Sequence, residues 1–187
     1  RNSMENSIDY DAVVFDMDGV IFDSEKKVVE CWQVLADKYG FTGIEEACRA
    51  CLGTTKEKSK EIMLQRYGED FPYETYSAEA SKLFHERYDG GRLPKKTGIE
   101  KILQALSQEG KKIALASSTR RQTVESQLRE AGLIGYFDKI ICGDMVEKSK
   151  PEPDIYIRAC KELGVLPEQA YAIEDSYNGI RSAYRAG

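Results

Sequence analysis

The sequence predicts an α/β fold, a doubly wound parallel sheet with a block of helices inserted after its first strand. Three observations carry this. Four short runs, at 12–16, 113–116, 139–142 and 170–173, are apolar nearly throughout, as strands covered on both faces are. Helix-period segments at 99–109, 122–131, 154–163 and 177–185 alternate with the later runs, the rhythm of strand-helix-strand units. Between 24 and 93 the rhythm breaks, and only helical patterns appear, at 25–39, 44–51, 56–67 and 78–88.

Taken in order, the first run, Ala12-Val13-Val14-Phe15, stops abruptly at Asp16, and Asp18 follows two places on. The all-helical stretch comes next, punctuated by Gly40, Gly53, Gly68 and Gly90-Gly91. An insertion of that size is tolerated where it leaves and rejoins a core at neighbouring points. The expected organisation is therefore a Rossmann-like core from residues 1–23 and 94–187, with a helical cap at 24–93. The remaining strands end at Ser117, Gly143-Asp144 and Glu174-Asp175. The closing "SAYRAG" reads as a helix with a terminal glycine, leaving the fourth strand an apolar sheet edge. At least one further strand is expected beyond it. Arg1-Asn2-Ser3 precede Met4 and read as a remnant of expression.

Composition narrows the function classes. With 187 residues, 41% hydrophobic and 32% charged, the chain is long enough to bury a core without staples. Net charge is −5 with Lys and Arg scattered, which argues against nucleic-acid binding. No apolar run approaches the roughly 18 residues of a membrane span, and no signal peptide is evident. The five cysteines are odd in number, and Cys48 and Cys51 have no second pair to complete a zinc site. Free thiols in a reducing cytoplasm, and a monomer, are expected.

Ligands of a doubly wound sheet bind beyond the carboxyl ends of its strands. Those ends carry Asp16 and Asp18, Ser117 and Ser118, Glu174 and Asp175, with Lys150 just past the third strand in "SKPEPD". Two like charges 4 Å apart repel by about 4 kcal/mol at an effective dielectric of 20, and nothing structural repays this. An all-oxygen cluster suits Mg²⁺, and Lys150 adds fixed positive charge. Ser117, at a strand end before a helix, can bind a phosphoryl group. Together these suit phosphoryl transfer, with Asp16 as nucleophile and Asp18 as general acid, then base.

With these residues placed, the chain resembles the haloacid dehalogenase-like superfamily, in particular its phosphatases and phosphomutases with a helical cap. "DMDGV" at 16–20 is similar to the first family motif, Ser117 in "ALASST" to the second, Lys150 in "KPEPD" to the third, and "EDS" at 174–176 to the fourth. The resemblance implies an Mg²⁺-dependent aspartyl-phosphate mechanism. It implies Asp16 and Asp175 as side-chain metal ligands, a backbone carbonyl from Asp18, and assistance from Glu174 through water. It also implies that 24–93 closes over the site as a mobile cap.

Departures sort the readings. Asp18 argues against dehalogenases, which lack the second aspartate. The closest likeness is to β-phosphoglucomutase, yet Val28 stands where those mutases carry a cap histidine, and the single His85 lies far along the cap. A phosphatase of small phosphorylated metabolites, sugar phosphates or nucleotides, is the expected function. A phosphosugar mutase and a catalytically silent phospho-ligand binding or signalling protein are the alternatives. For specificity, Glu25 lies at the cap hinge and Lys56 beside the Gly53-Thr54-Thr55 loop; each faces either substrate or solvent. Trp32, with Leu35 and Tyr39 at helical spacing, reads as cap packing.

Overall fold

The computed structural model describes residues 9–52, 54–148 and 150–187; the readings for Arg1–Met4, Gly53 and Ser149 lie outside them. Four parallel strands form one sheet in the order β3-β2-β1-β4: β1 (Ala12–Phe15), β2 (Lys112–Ser117), β3 (Lys139–Cys142) and β4 (Ala170–Ile173). β1 sits inside, pairing Ala12 with Lys112 on one side and with Ala170 on the other. Its four residues are all buried, which is why the run carries no polar alternation.

Eight helices are described: α1 (Ser24–Tyr39), α2 (Ile44–Cys51), α3 (Lys56–Tyr67), α4 (Tyr73–Tyr88), α5 (Ile99–Gln108), α6 (Arg121–Glu130), α7 (Asp154–Leu163) and α8 (Tyr177–Ala186). One apolar layer joins Val13, Phe15, Leu103, Ile113 and Leu128, and the opposite face packs Val14, Ala114, Ile141, Ile155 and Tyr156. The sheet is thus covered on both sides, as the rhythm of the sequence requires. At the edge, Tyr171 and Ile173 of β4 are 47% and 37% exposed, so the outermost strand carries apolar side chains into solvent.

Helices α1 to α4 build their own apolar cluster around Trp32, Leu35, Ile44, Met63 and Tyr73. The chain leaves the core at 21–23 and returns at 94–96, and the two segments pair: Lys96 N donates to Ile21 O (2.8 Å) and Asp23 N to Pro94 O (3.0 Å). That adjacency lets a large insert hang from the sheet without disturbing it. Helix α4 starts at Tyr73, earlier than the sequence pattern predicts, because Tyr73 is buried and stacks on Trp32 at 6.1 Å. Trp32 is cap packing, as expected. His85 is exposed and contacts Asp89 at 3.0 Å. All five cysteines are free, and no helix among the described residues is long and apolar enough to cross a membrane.

Candidate active site

The site forms where β1 gives out. Asp16 N still donates to Ile173 O (2.9 Å), extending the ladder by one residue, and then the chain turns sharply: Ile21 N donates to Met17 O (2.8 Å) and Gly19 N to Phe22 O (2.9 Å). Gly19 has a φ of +78°, and a Cβ there would stand 2.2 Å from Asp175 Oδ2 and 3.0 Å from Glu25 Oε2. Only glycine lets this turn pass so close beneath the two carboxylates.

Lys150, joined to Pro151 by a cis peptide bond, reaches under the sheet end. Its Nζ donates to Asp16 Oδ1 at 3.0 Å, to Glu174 Oε2 at 2.5 Å and to Ala116 O at 3.0 Å. The three side chains are 8%, 14% and 3% exposed for lysine, aspartate and glutamate, so these are buried pairs. The Tyr156 hydroxyl donates to the same Glu174 oxygen, and Lys150 Nζ lies 5.2 Å from the centre of the Tyr156 ring. Gly179, at the start of α8, leaves room for Glu174: a Cβ there would fall 1.9 Å from Oε1. Ser176 caps α8 by accepting from Gly179 N (3.0 Å).

Asp18 points the other way. Ser24 Oγ donates to its Oδ1 at 2.8 Å and Thr119 Oγ1 to its Oδ2 at 3.4 Å. Burial pushes the Asp18 carboxyl above its ordinary range, against the pull of these two donors. Burial likewise raises Asp16 to about 7, opposed by Lys150 and reinforced by Glu174 and Asp18. Glu25 rises to about 9, through burial first and then through its hydrogen bond and repulsion with Asp175.

Of the residues singled out in the sequence, Asp16, Asp18, Glu25, Lys56, Ser118 and Lys150 line one polar cavity of about 460 Å³. Ser117 lies beneath it, 1% exposed, its Oγ accepting from Thr119 N (3.1 Å). It does not cap the following helix: α6 begins at Arg121, with Arg120 in the cap position. Glu174 is turned inward to Lys150 and Tyr156, and Asp175 is exposed beside Glu25. Ser24, Thr119, Tyr156 and Gly143 were not legible as site residues. The last is wedged under the loop after β2, since a Cβ there would stand 2.2 Å from Ser118 O.

Among the described residues no three His, Cys, Asp or Glu side chains form a ready-made ligand group. The donor chemistry nevertheless fits a hard divalent cation. Asp16, Asp18, Glu25, Glu174 and Asp175 gather at this end of the sheet, Lys150 bonds only Asp16 and Glu174 among them, and all of these donors are oxygen.

Comparison with known proteins agrees with this geometry. The sequence profile described as Haloacid dehalogenase-like hydrolase matches residues 13–187. The Phosphorylated carbohydrates phosphatase of Thermotoga maritima is 31% identical over 182 residues, spanning 95% of this chain and 82% of that protein. The Beta-phosphoglucomutase of Bacillus subtilis is 33% identical over 184 residues, spanning 94% and 80%. A solved HAD family hydrolase from Deinococcus radiodurans, with bound phosphate and sodium, superposes with a TM-score of 0.81 at 28% identity, covering 97% of this chain and 79% of that one. The chain therefore belongs to the haloacid dehalogenase-like hydrolases, in their β-phosphoglucomutase-like branch.

Proposed function

We propose that the protein is a phosphatase of small phosphate monoesters, working through a phosphorylated Asp16. The observation that carries this is the convergence of Asp16, Asp18, Ser118 and Lys150 on one polar cavity at the carboxyl end of the sheet. An Asp16 carboxylate oxygen attacks phosphorus as the bond to the ester oxygen breaks. Asp18, held by Ser24 and Thr119 and raised by burial, gives its proton to the departing oxygen. Water then yields a proton to Asp18 and attacks the same phosphorus, releasing phosphate and restoring Asp16. Lys150 holds the Asp16 oxygen in place and offsets charge that gathers on the phosphoryl group. Ser117 supports the loop, and Ser118 faces the phosphoryl oxygens. Asp16, Asp175 and the Asp18 carbonyl, with Glu174 behind them, are the groups to hold Mg²⁺, which when bound supplies positive charge to the carboxylates and the phosphoryl oxygens. Helices α1 to α4 act as the cap, with the paired segments 21–23 and 94–96 as its hinge and Glu25 and Lys56 at its inner rim.

The relatives leave a mutase as the rival, since one of them is a β-phosphoglucomutase. Against it stands Val28, 40% exposed on α1, at the position where the resemblance puts the mutase histidine, since a valine cannot shuttle a proton. The test is phosphate release from a panel of esters with Mg²⁺ and with EDTA, run beside Asp16→Asn. Metal-dependent release that falls by about 10⁴-fold or more in the variant is expected. Half the activity surviving in a folded variant refutes the nucleophile, and conversion of β-glucose 1-phosphate to the 6-phosphate without release gives the case to the mutase.

A further inference from the structure

A second cavity, of about 390 Å³, opens beside the polar one and shares Asp18 and Glu25 with it. Its character is different. Met17 from the core, Val28, Val29 and Trp32 from α1, Met63 from α3 and Phe84 from α4 give it a predominantly apolar side. Polar groups interrupt that surface: the Ser24, Ser59 and Thr119 hydroxyls, already bonded to Asp18 or Thr54, together with Thr123 and Gln127. Gln127, on the core helix α6, also lines the chamber, and its side-chain oxygen is buried without a hydrogen-bond partner. A buried acceptor left unpaired is costly, and native structures keep such atoms where a ligand or water completes them.

We propose that this chamber receives the alcohol portion of the substrate, and that the preferred esters carry an apolar ring system bearing a hydroxyl that donates to Gln127 Oε1. The inference rests on the phosphatase reading above and names its substrate class. Asp18 must reach the ester oxygen, and Asp18 stands on the boundary of both chambers. With phosphorus over Asp16 in the polar chamber, whatever is bonded to the ester oxygen extends past Asp18 into the apolar one. A bare hexose there would bring several hydroxyls, stripped of water, against Met17, Met63 and Phe84 and against Ser24, Ser59 and Thr119 hydroxyls that already have partners. An apolar ring loses nothing on entering and gains the burial of its own surface. Space is sufficient, since a cavity of about 150 Å³ already accepts benzene. Ligand sites of this kind combine apolar walls with a few placed polar groups.

The test compares four primary-alcohol esters with similar leaving-group basicity: ethyl phosphate, 2-phenylethyl phosphate and the 2-(3-hydroxyphenyl)ethyl and 2-(4-hydroxyphenyl)ethyl phosphates. The phenyl ester should exceed ethyl phosphate in kcat/KM by about tenfold or more, and one hydroxylated ester should exceed the phenyl ester. Gln127→Met should erase the second gain and keep the first; Val28→Thr should shrink the first. Equal kcat/KM for ethyl and phenylethyl phosphate overturns the chamber's role while phosphatase activity stands. No gain from either hydroxylated ester, or a gain that Gln127→Met keeps, overturns the assignment of Gln127. If none of these esters is hydrolysed while the wider ester panel releases phosphate, this proposal falls and the phosphatase reading stands; if that panel is silent too, the phosphatase reading falls and the chamber is judged by binding. Trp32, the single tryptophan, lines it. Its emission should then respond to 2-phenylethylphosphonate at concentrations about tenfold lower than to ethylphosphonate, and equal responses overturn the proposal.

Discussion

Replacing Lys150 by methionine keeps much of the stem's volume and deletes the cation that touches the buried carboxylates. At an effective dielectric of 20, unit charges 3.0 Å apart, as Lys150 Nζ and Asp16 Oδ1 are, attract by about 5–6 kcal/mol. Releasing the lysine from burial returns part of this, and breaking a buried pair on one side costs about 3–5 kcal/mol in practice. Ala116 O also loses its lysine donor. A loss of about 4 kcal/mol is therefore expected near pH 8. The loss must shrink in acid. Lys150 is what holds Asp16 down to about 7, so without it the Asp16 carboxyl rises further and is neutral near pH 5.5. One repulsive charge then disappears, and about half the penalty goes with it. Urea unfolding in EDTA at the two pH values measures both. A loss below about 1 kcal/mol near pH 8, or the same loss at both pH values, would refute the view of Lys150 as counter-charge to a buried pair.

The same carboxylates make stability depend on pH and metal together. Asp16 near 7 and Glu25 near 9 lie above their ordinary values, so between about pH 4 and those values the folded state holds more protons than the unfolded one, and stability falls as pH rises. Melting temperature in EDTA should drop from pH 5.5 to 8, and Mg²⁺ should restore more at pH 8; a melting temperature that climbs with pH contradicts this. Ser24→Ala removes a donor that pulls the Asp18 carboxyl down, so Asp18 rises further and the alkaline limb of kcat/KM against pH, where Asp18 must still hold its proton to act as the acid, should move to higher pH. A stationary profile means the hydroxyl does not tune Asp18. Tyr156→Phe leaves Glu174 with one donor fewer and should cost about 1–3 kcal/mol in urea unfolding, with a neutral result denying the bond any weight.

How much of this was legible in the sequence follows from the range of the interactions involved. Strands buried on both faces announce themselves as local apolar runs, and their ends must abut the ligand crevice, so Asp16, Asp18, Lys150 and Asp175 could be placed together before any coordinates. Strand β2 begins earlier than its apolar run because Lys112 pairs with Ala12 while its amine leaves the sheet for Leu163 O (2.8 Å). The first turn of α4 was invisible because Tyr73, Glu74 and Thr75 carry no aliphatic period, and its burial comes from Trp32, on another helix. Thr119 meets Asp18 across 101 positions of sequence, and Tyr156 meets Glu174 across 18. Each reads locally as a loop hydroxyl or a helix-face aromatic, and no spacing rule links them.

The apolar chamber was hidden for a deeper reason. Val29, Trp32, Met63 and Phe84 sit at positions that helical periodicity assigns to a packed face, and a cavity wall satisfies that periodicity as well as a core does. Hydrophobic pattern reports that a side chain leaves water in the folded state, not whether its neighbour is protein or a ligand. The acids proposed to be catalytic are legible because their cost must be repaid by chemistry; the apolar residues proposed to choose the substrate cost nothing and stay silent until the helices around them are in place. The exception is Gln127, a polar group whose unpaired oxygen does carry a cost, and that cost is what singles it out.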